Sequence, residues 1–230
     1  MKIIKNEKLI KRNSQVGQWT SLGALAVLGL SMYLNFNRTD LIAYSLGGLL
    51  LGFILMQIGI YMGNHYGRRP RPDEKLDAGL KGLQNEYLIY HHTAPVSHLL
   101  VGPAGIWVLL PYHQRGQVTF RKNRWRMSGG GFLQVYMRIF GQEGIGRPDL
   151  ETESKINAVK KHFARHMYES QIPQINAMMV FTSDDVTIDA KDSPIPAMKL
   201  KEIKEFFRKK AKEKPIGQMQ LAAVKAALPE

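Results

Sequence analysis

Two long stretches of this chain contain no Asp, Glu, Lys or Arg: residues 13–37 and residues 41–67. A helix needs about 20 predominantly apolar residues to cross a hydrocarbon core of about 30 Å. Trp19–Phe36 meets that length, and so does the stretch from Leu41 to Gly63. Only Asn37, Arg38, Thr39 and Asp40 separate them. The pair therefore reads as a transmembrane hairpin over residues 19–66, two antiparallel spans joined by a tight polar turn. A signal peptide followed by a buried helix is the competing reading, because the start is rich in lysine. Against it, the first stretch is long for a signal core, and no clear small-residue cleavage site follows.

The flanking charges set an expected orientation. Lys2, Lys5, Lys8, Lys11 and Arg12 precede the first span within a basic segment, 1–18, while Arg68, Arg69, Arg71 and Lys75 follow the second. The turn carries only Arg38. Lys and Arg are retained on the cytoplasmic side, so both termini are expected there, in an inner or plasma membrane. The same cations would meet anionic membrane lipid. Trp19, Tyr33, Tyr61 and Tyr66 lie where interfacial aromatic anchors sit. Within the second span Gly48 and Gly52, then Gly59 and Gly63, recur at i, i+4. That spacing lets a second helix approach closely, either within the hairpin or from a membrane-protein partner or second copy of the chain.

A composition shift follows Gly67. Residues 67–72 form a stiff linker rich in Arg and Pro, and proline there stops the second helix. The whole chain has 230 residues, no cysteine and a formal net charge of +13. Zero cysteines exclude a disulfide scaffold, a thiolate zinc site and a cysteine nucleophile. The pattern predicts a helix over 73–84 capped by Asp73, then strands over 86–92, 96–101 and 105–110. Gly102-Pro103-Ala104-Gly105 turns the last two into a hairpin. A more exposed strand is expected over 117–126. The glycine groups at 128–131 and at Gly141, Gly144 and Gly146 flank an apolar run, 132–140. They lack the Gly-Lys-Ser/Thr ending of a phosphate loop and read as flexible connections. Pro148 opens a helix to 169 carrying Ile156, Val159, Phe163 and Met167 at helical spacing. Strands over 175–182 and 196–200 and helices over 201–212 and 217–228 complete an α/β pattern.

Several of these segments resemble the NERD (nuclease-related domain) family. The resemblance begins at Val101–Leu109 and extends to residues 73–80, 116–125, 172–182 and 194–207, in the family's order. It covers about residues 73–210, so a NERD-like domain is placed at 73–212 with a separate C-terminal helix at 213–230. The family is similar to restriction-endonuclease-like nucleases, which implies a mixed central sheet flanked by helices. It also implies metal-assisted phosphodiester hydrolysis, with carboxylates holding Mg²⁺ and a lysine near the attacking water. Glu74 matches the family's helix acid. Ser97 occupies its Asp position, and Leu110 and Tyr112 occupy its Glu-x-Lys positions around Pro111. Leucine cannot bind a cation, and tyrosine does not replace a lysine charge near neutral pH. No Asp or Glu lies between Glu86 and Glu143, so a slipped alignment does not refill the site. The resemblance thus implies a degenerate, non-catalytic domain with no cofactor, a binding, scaffold or accessory subunit. Its rival is a tethered Mg²⁺-dependent nuclease using migrated ligands from Glu143, Asp149, Glu151 and Glu153. Those acids are also explained as favourable charge at a helix N-terminus.

His162 and His166 share i, i+4 spacing, but a zincin motif needs Glu where Phe163 stands. His91 and His92 are neighbours on a strand and point to opposite faces. There is no Gly-x-Ser-x-Gly elbow. Basic clusters remain. Residues 64–230 carry 26 Lys+Arg and 17 Asp+Glu. Arg121, Lys122, Arg124 and Arg126, with Arg115 nearby and Phe120 and Trp125 interleaved, form one cluster. Lys209 and Lys210, with Lys204, Arg208, Lys212 and Lys214, form another. Either can meet phosphates of nucleic acid, anionic lipid or an acidic protein.

Overall fold

A computed structural model describes residues 1–129 and 144–229. The apolar run 132–140, Gly141 and Glu143 fall outside the described residues. The chain divides into two units, Glu7–Arg71 and a second made of Met1–Asn6 with Pro72–Glu230.

The first unit is a helical hairpin. Helix α1 spans Glu7–Asn37, a 3₁₀ turn covers Thr39–Leu41, and α2 spans Ile42–Met62 before a wide turn at Gly63–Gly67. Both helices are long and apolar enough to cross a membrane. Their contact face is made of small residues. Gly17, Ala24 and Ser31 are buried on α1, and Ser45, Gly52 and Gly59 on α2. Each set repeats every seven residues, about two helical turns, which keeps one face turned to its partner. The backbones come close: a Cβ on Gly52 would lie 2.6 Å from Leu28 Cγ, and one on Gly59 3.2 Å from Ser21 Cα. Ser45 Oγ donates to the Ser31 carbonyl at 2.6 Å. Trp19, Leu25, Leu30, Phe36, Leu46 and Leu50 point outward and are exposed.

The second unit is a mixed α/β fold. After α3 (Pro72–Leu80) come β2 (Leu88–His91), β3 (His98–Gly102) and β4 (Gly105–Tyr112). Strands β5 (Gly116–Arg121) and β6 (Arg124–Ser128) follow, then α4 (Pro148–Phe163), β7 (Ile175–Phe181), β8 (Val186–Asp189) and β9 (Ala197–Lys199). Helices α5 (Ile203–Glu213) and α6 (Gln218–Ala226) end the chain. Two strands lie outside the expected ones: β8, and β1 (Lys2–Lys5), which lies in the segment read as a membrane flank.

The main sheet runs β1-β2-β3-β4-β7-β9. Strands β2, β3 and β4 form an antiparallel meander, while β1 joins β2 and β7 joins β4 in parallel. Alternation puts Leu99, Val101, Ile106, Val108, Leu110 and Met179 on one face, packed with Val159 and Phe163 of α4 and Val224 of α6. Ile89, Leu100, Trp107, Leu109 and Val180 take the other, under Leu76 and Leu80 of α3 and Phe207 of α5. Thus helices cover both faces. A second sheet, β6-β5-β8, packs Val118 and Val186 against the first core.

Several sequence boundaries change. The helix expected over 73–84 starts at Pro72 and ends at Leu80, so Asp73 lies in its first turn rather than at its cap. The single strand expected over 117–126 is two, folded at Lys122 and Asn123, whose φ values of 51° and 57° match a tight two-residue hairpin turn. Helix α4 stops at Phe163 rather than 169, and the Met167 amide donates to the Phe163 carbonyl in the closing turn. Strand β8 lies between two segments that read as loop.

Candidate functional site

The positions singled out by the resemblance lie apart in the fold. Glu74 stands half-buried in the first turn of α3. Ser97 is half-buried in the β2–β3 connection, where its carbonyl accepts the His92 amide at 2.9 Å. Leu110 and Tyr112 share one face of β4, two residues apart, and both sit in the apolar core. Tyr112 donates its hydroxyl to Glu151 Oε2 at 2.9 Å. Burial, with the Glu151 charge and hydrogen bond added, raises the Tyr112 pKa and keeps the phenol neutral. Two of the carboxylates named as migrated ligands, Asp149 and Glu151, are otherwise engaged. Asp149 and Glu151 lie in the first turn of α4, and Asp149 pairs with Arg147 at 3.0 Å. Among the described residues, no group of three or more His, Asp or Glu side chains is arranged to hold a metal ion.

The helix-packing glycines divide. Gly48, Gly52 and Gly59 of α2 face Ser31, Leu28 and Ser21 of α1, whereas a Cβ on Gly63 would meet nothing within 4 Å. His162 and His166 each donate a ring nitrogen to a backbone carbonyl, of Ala227 and His162 respectively, both at 2.9 Å. Lys209 and Lys210 share Glu213, at 3.7 and 3.2 Å, on the exposed side of α5.

The most unusual arrangement in this unit is a polar row on the otherwise apolar α3 side of the sheet. Lys5, His91 and His98 lie directly opposite one another across β1, β2 and β3. Above them α3 presents Asp73 and Asp77, one turn apart and so on one helix face. Lys5 Nζ donates to Asp73 Oδ2 at 3.1 Å and also to Asp77. His91 Nε2 donates to Asp77 Oδ1 at 2.9 Å, and His91 Nδ1 lies 2.8 Å from His98 Nδ1. A carboxylate only accepts, so His91 Nε2 carries its proton, and the two facing Nδ1 atoms share one proton between them. His91 and Asp73 are almost completely buried. Burial opposes the Lys5 charge, but hydrogen bonds from Asp77 and Asp73, with their charges, outweigh it and raise the ammonium pKa.

Sequence reading missed this row. In sequence Asp73 reads as a helix cap, and His91 as a strand neighbour of His92. The usable signal was a pair of i, i+4 acids on an amphipathic helix, followed by two histidines placed symmetrically about a hairpin. Lys5 offered no signal, because its strand looked like a charged flank.

The basic cluster at β5–β6 is laid out by strand alternation. Phe120 and Trp125 face one another on the inner side, with ring centroids 5.1 Å apart. Arg121, Arg124 and Arg126 take the outer side and are exposed. Arg121 pairs with Asp189 of β8 at 2.9 Å.

No protein-family model, no curated protein and no solved structure matches this chain.

Proposed function

We propose that this is a membrane-anchored protein whose α/β unit is a NERD-like, non-catalytic binding or scaffold domain at the cytoplasmic face, serving a membrane assembly as an accessory subunit. The observation that carries the reading is the pair Leu110 and Tyr112. Where the resemblance implies a metal carboxylate and a lysine, the chain has a core leucine, 5% exposed, and a neutral phenol tied to Glu151. Element order supports the resemblance: a helix, an antiparallel strand trio, a helix and then parallel strands on one mixed sheet.

The topology of the anchor is supported by β1. Its hydrogen bonds to β2 put Met1–Asn6 in the same unit as Pro72–Glu230. A chain that leaves that unit at Glu7 and returns at Pro72 must cross a bilayer an even number of times, and the apolar helices supply two. The Lys and Arg flanks then favour the cytoplasmic side for both ends.

The test is a plasmid assay on the full chain in detergent micelles with Mg²⁺ or Mn²⁺. No nicking is expected. Metal-dependent nicking that disappears in Glu74→Ala would establish the nuclease reading instead.

A further inference from the structure

We infer that the outer face of the β6-β5-β8 sheet is a docking platform for anionic lipid headgroups; this rests on the membrane-anchored reading above. The face is assembled by register. Arg121 lies directly opposite Arg124, and Thr119 lies opposite both Arg126 and Asp189. Like charges placed directly across an antiparallel pair oppose folding. Lys122 at the turn adds a further cation beside them. Among the described residues, one carboxylate, Asp189, forms an ion pair with any of these four cations, and it is engaged by Arg121. Among the described residues, Arg124 and Arg126 have no acidic partner. A strand face that concentrates unneutralised guanidinium groups at its own cost is complementary to phosphate, which each fork can bind in bidentate fashion.

The shape of the platform selects the occupant. Single-stranded nucleic acid is held by exposed aromatic rings on which bases stack. Here Phe120 and Trp125 are turned inward, and Trp125 packs on the core. A β-ribbon can enter the major groove of a duplex only if it stands free. This hairpin is sealed on its inner face by the core and on one edge by β8. What remains is a broad arginine-bearing surface with no exposed aromatic ring and no free ribbon to enter a groove. It suits a layer of headgroup phosphates, whose surface potential reaches about one Debye length, roughly 8–10 Å, into solution.

The experiment uses the full chain in nanodiscs of neutral phosphatidylcholine, floated with added vesicles. Flotation is expected with phosphatidylcholine vesicles containing about one-third phosphatidylglycerol, to be absent with pure phosphatidylcholine, and to fall steeply with salt. Arg124→Gln/Arg126→Gln should weaken it by about tenfold or more. Lys209→Gln/Lys210→Gln should leave it largely intact. Circular dichroism checks the fold of each variant, and the salt titration of the unmodified chain stands if a variant fails to fold. Equal flotation with neutral vesicles overturns the inference, as does wild-type flotation by the folded Arg124→Gln/Arg126→Gln variant. Inorganic phosphate competing far better than chloride at equal ionic strength would assign the face to a free anion, and tighter binding of a short DNA duplex would assign it to nucleic acid; either result also overturns it. Failure of the anchor is read separately, by release of the chain from native membranes in alkaline carbonate.

Discussion

Lys5 Nζ lies 3.1 Å from Asp73 Oδ2. Lys5 is two residues before α1 and Asp73 is the second residue of α3, so one ion pair fastens the segment entering the apolar helices to the segment leaving them. Asp77 and His91 extend the fastening into the sheet. Without it, β1 would be a four-residue edge strand, held by its ladder to β2, by the Met1 ammonium on Leu83 and Asn85, and by Met1 and Ile4 on the core.

Removing one partner leaves the other charge buried. Lys5→Met should cost about 3 kcal/mol. Asp73→Asn should cost less, because Lys5 keeps Asp77, and the two losses should not add. Denaturant titration of the full chain in micelles measures each, with limited proteolysis reporting the release of β1. Additive losses would show that the two residues act separately.

The Lys5 pKa fixes the sign of a pH effect. Its value is raised by folding, so its contribution is complete below the unfolded lysine value of about 10.4 and is lost as pH climbs through the folded value. Buried Tyr87 and Tyr90, raised by desolvation, also penalise alkaline conditions. They do so in wild type and in Lys5→Met alike. The difference in stability between the two proteins should therefore be constant near neutrality and shrink above about pH 10.4.

The α1–α2 contact predicts a sharp contrast among glycines. Gly59→Leu drives a side chain into Ser21 and should destabilise the hairpin by about 2 kcal/mol. Gly63→Leu meets open space and should be neutral. Thermal midpoints of the two variants in the same detergent compare them directly.

How much of this was legible beforehand follows from the residues. The apolar helices and the buried run 175–182 declared themselves because length and hydrophobicity suffice for both. Strand β1 did not: Lys2-Ile3-Ile4-Lys5 is too short to show a period, and its lysines matched a membrane flank. The β5–β6 fold was hidden because Lys122 and Asn123 are not the Asn-Gly pair that announces a tight turn. For the site, Leu110 was legible as a strand residue, while Tyr112 fell beyond the strand expected over 105–110. The Lys5–Asp77–His91–His98 row was not legible, because it joins four elements and exists only after the sheet forms.

Leu110 also separates a closed site from an emptied one. If the position opened to solvent, a carboxylate would be tolerated there. It lies instead in the core, so Leu110→Glu should cost about 3 kcal/mol, and Leu110→Glu/Tyr112→Lys should not gain nuclease activity. Wild-type stability of Leu110→Glu would show that the pocket is open.

The central claim is a hairpin that leaves one α/β unit, crosses the bilayer twice and returns to the same unit. The chain has no cysteine, so single cysteines report position without background. Asp40→Cys in the turn and Met219→Cys on α6 are both at exposed residues. A membrane-impermeant maleimide applied to intact cells should label the first and spare the second, and inverted vesicles should reverse the pattern. Labelling of both cysteines from the same side would contradict the account.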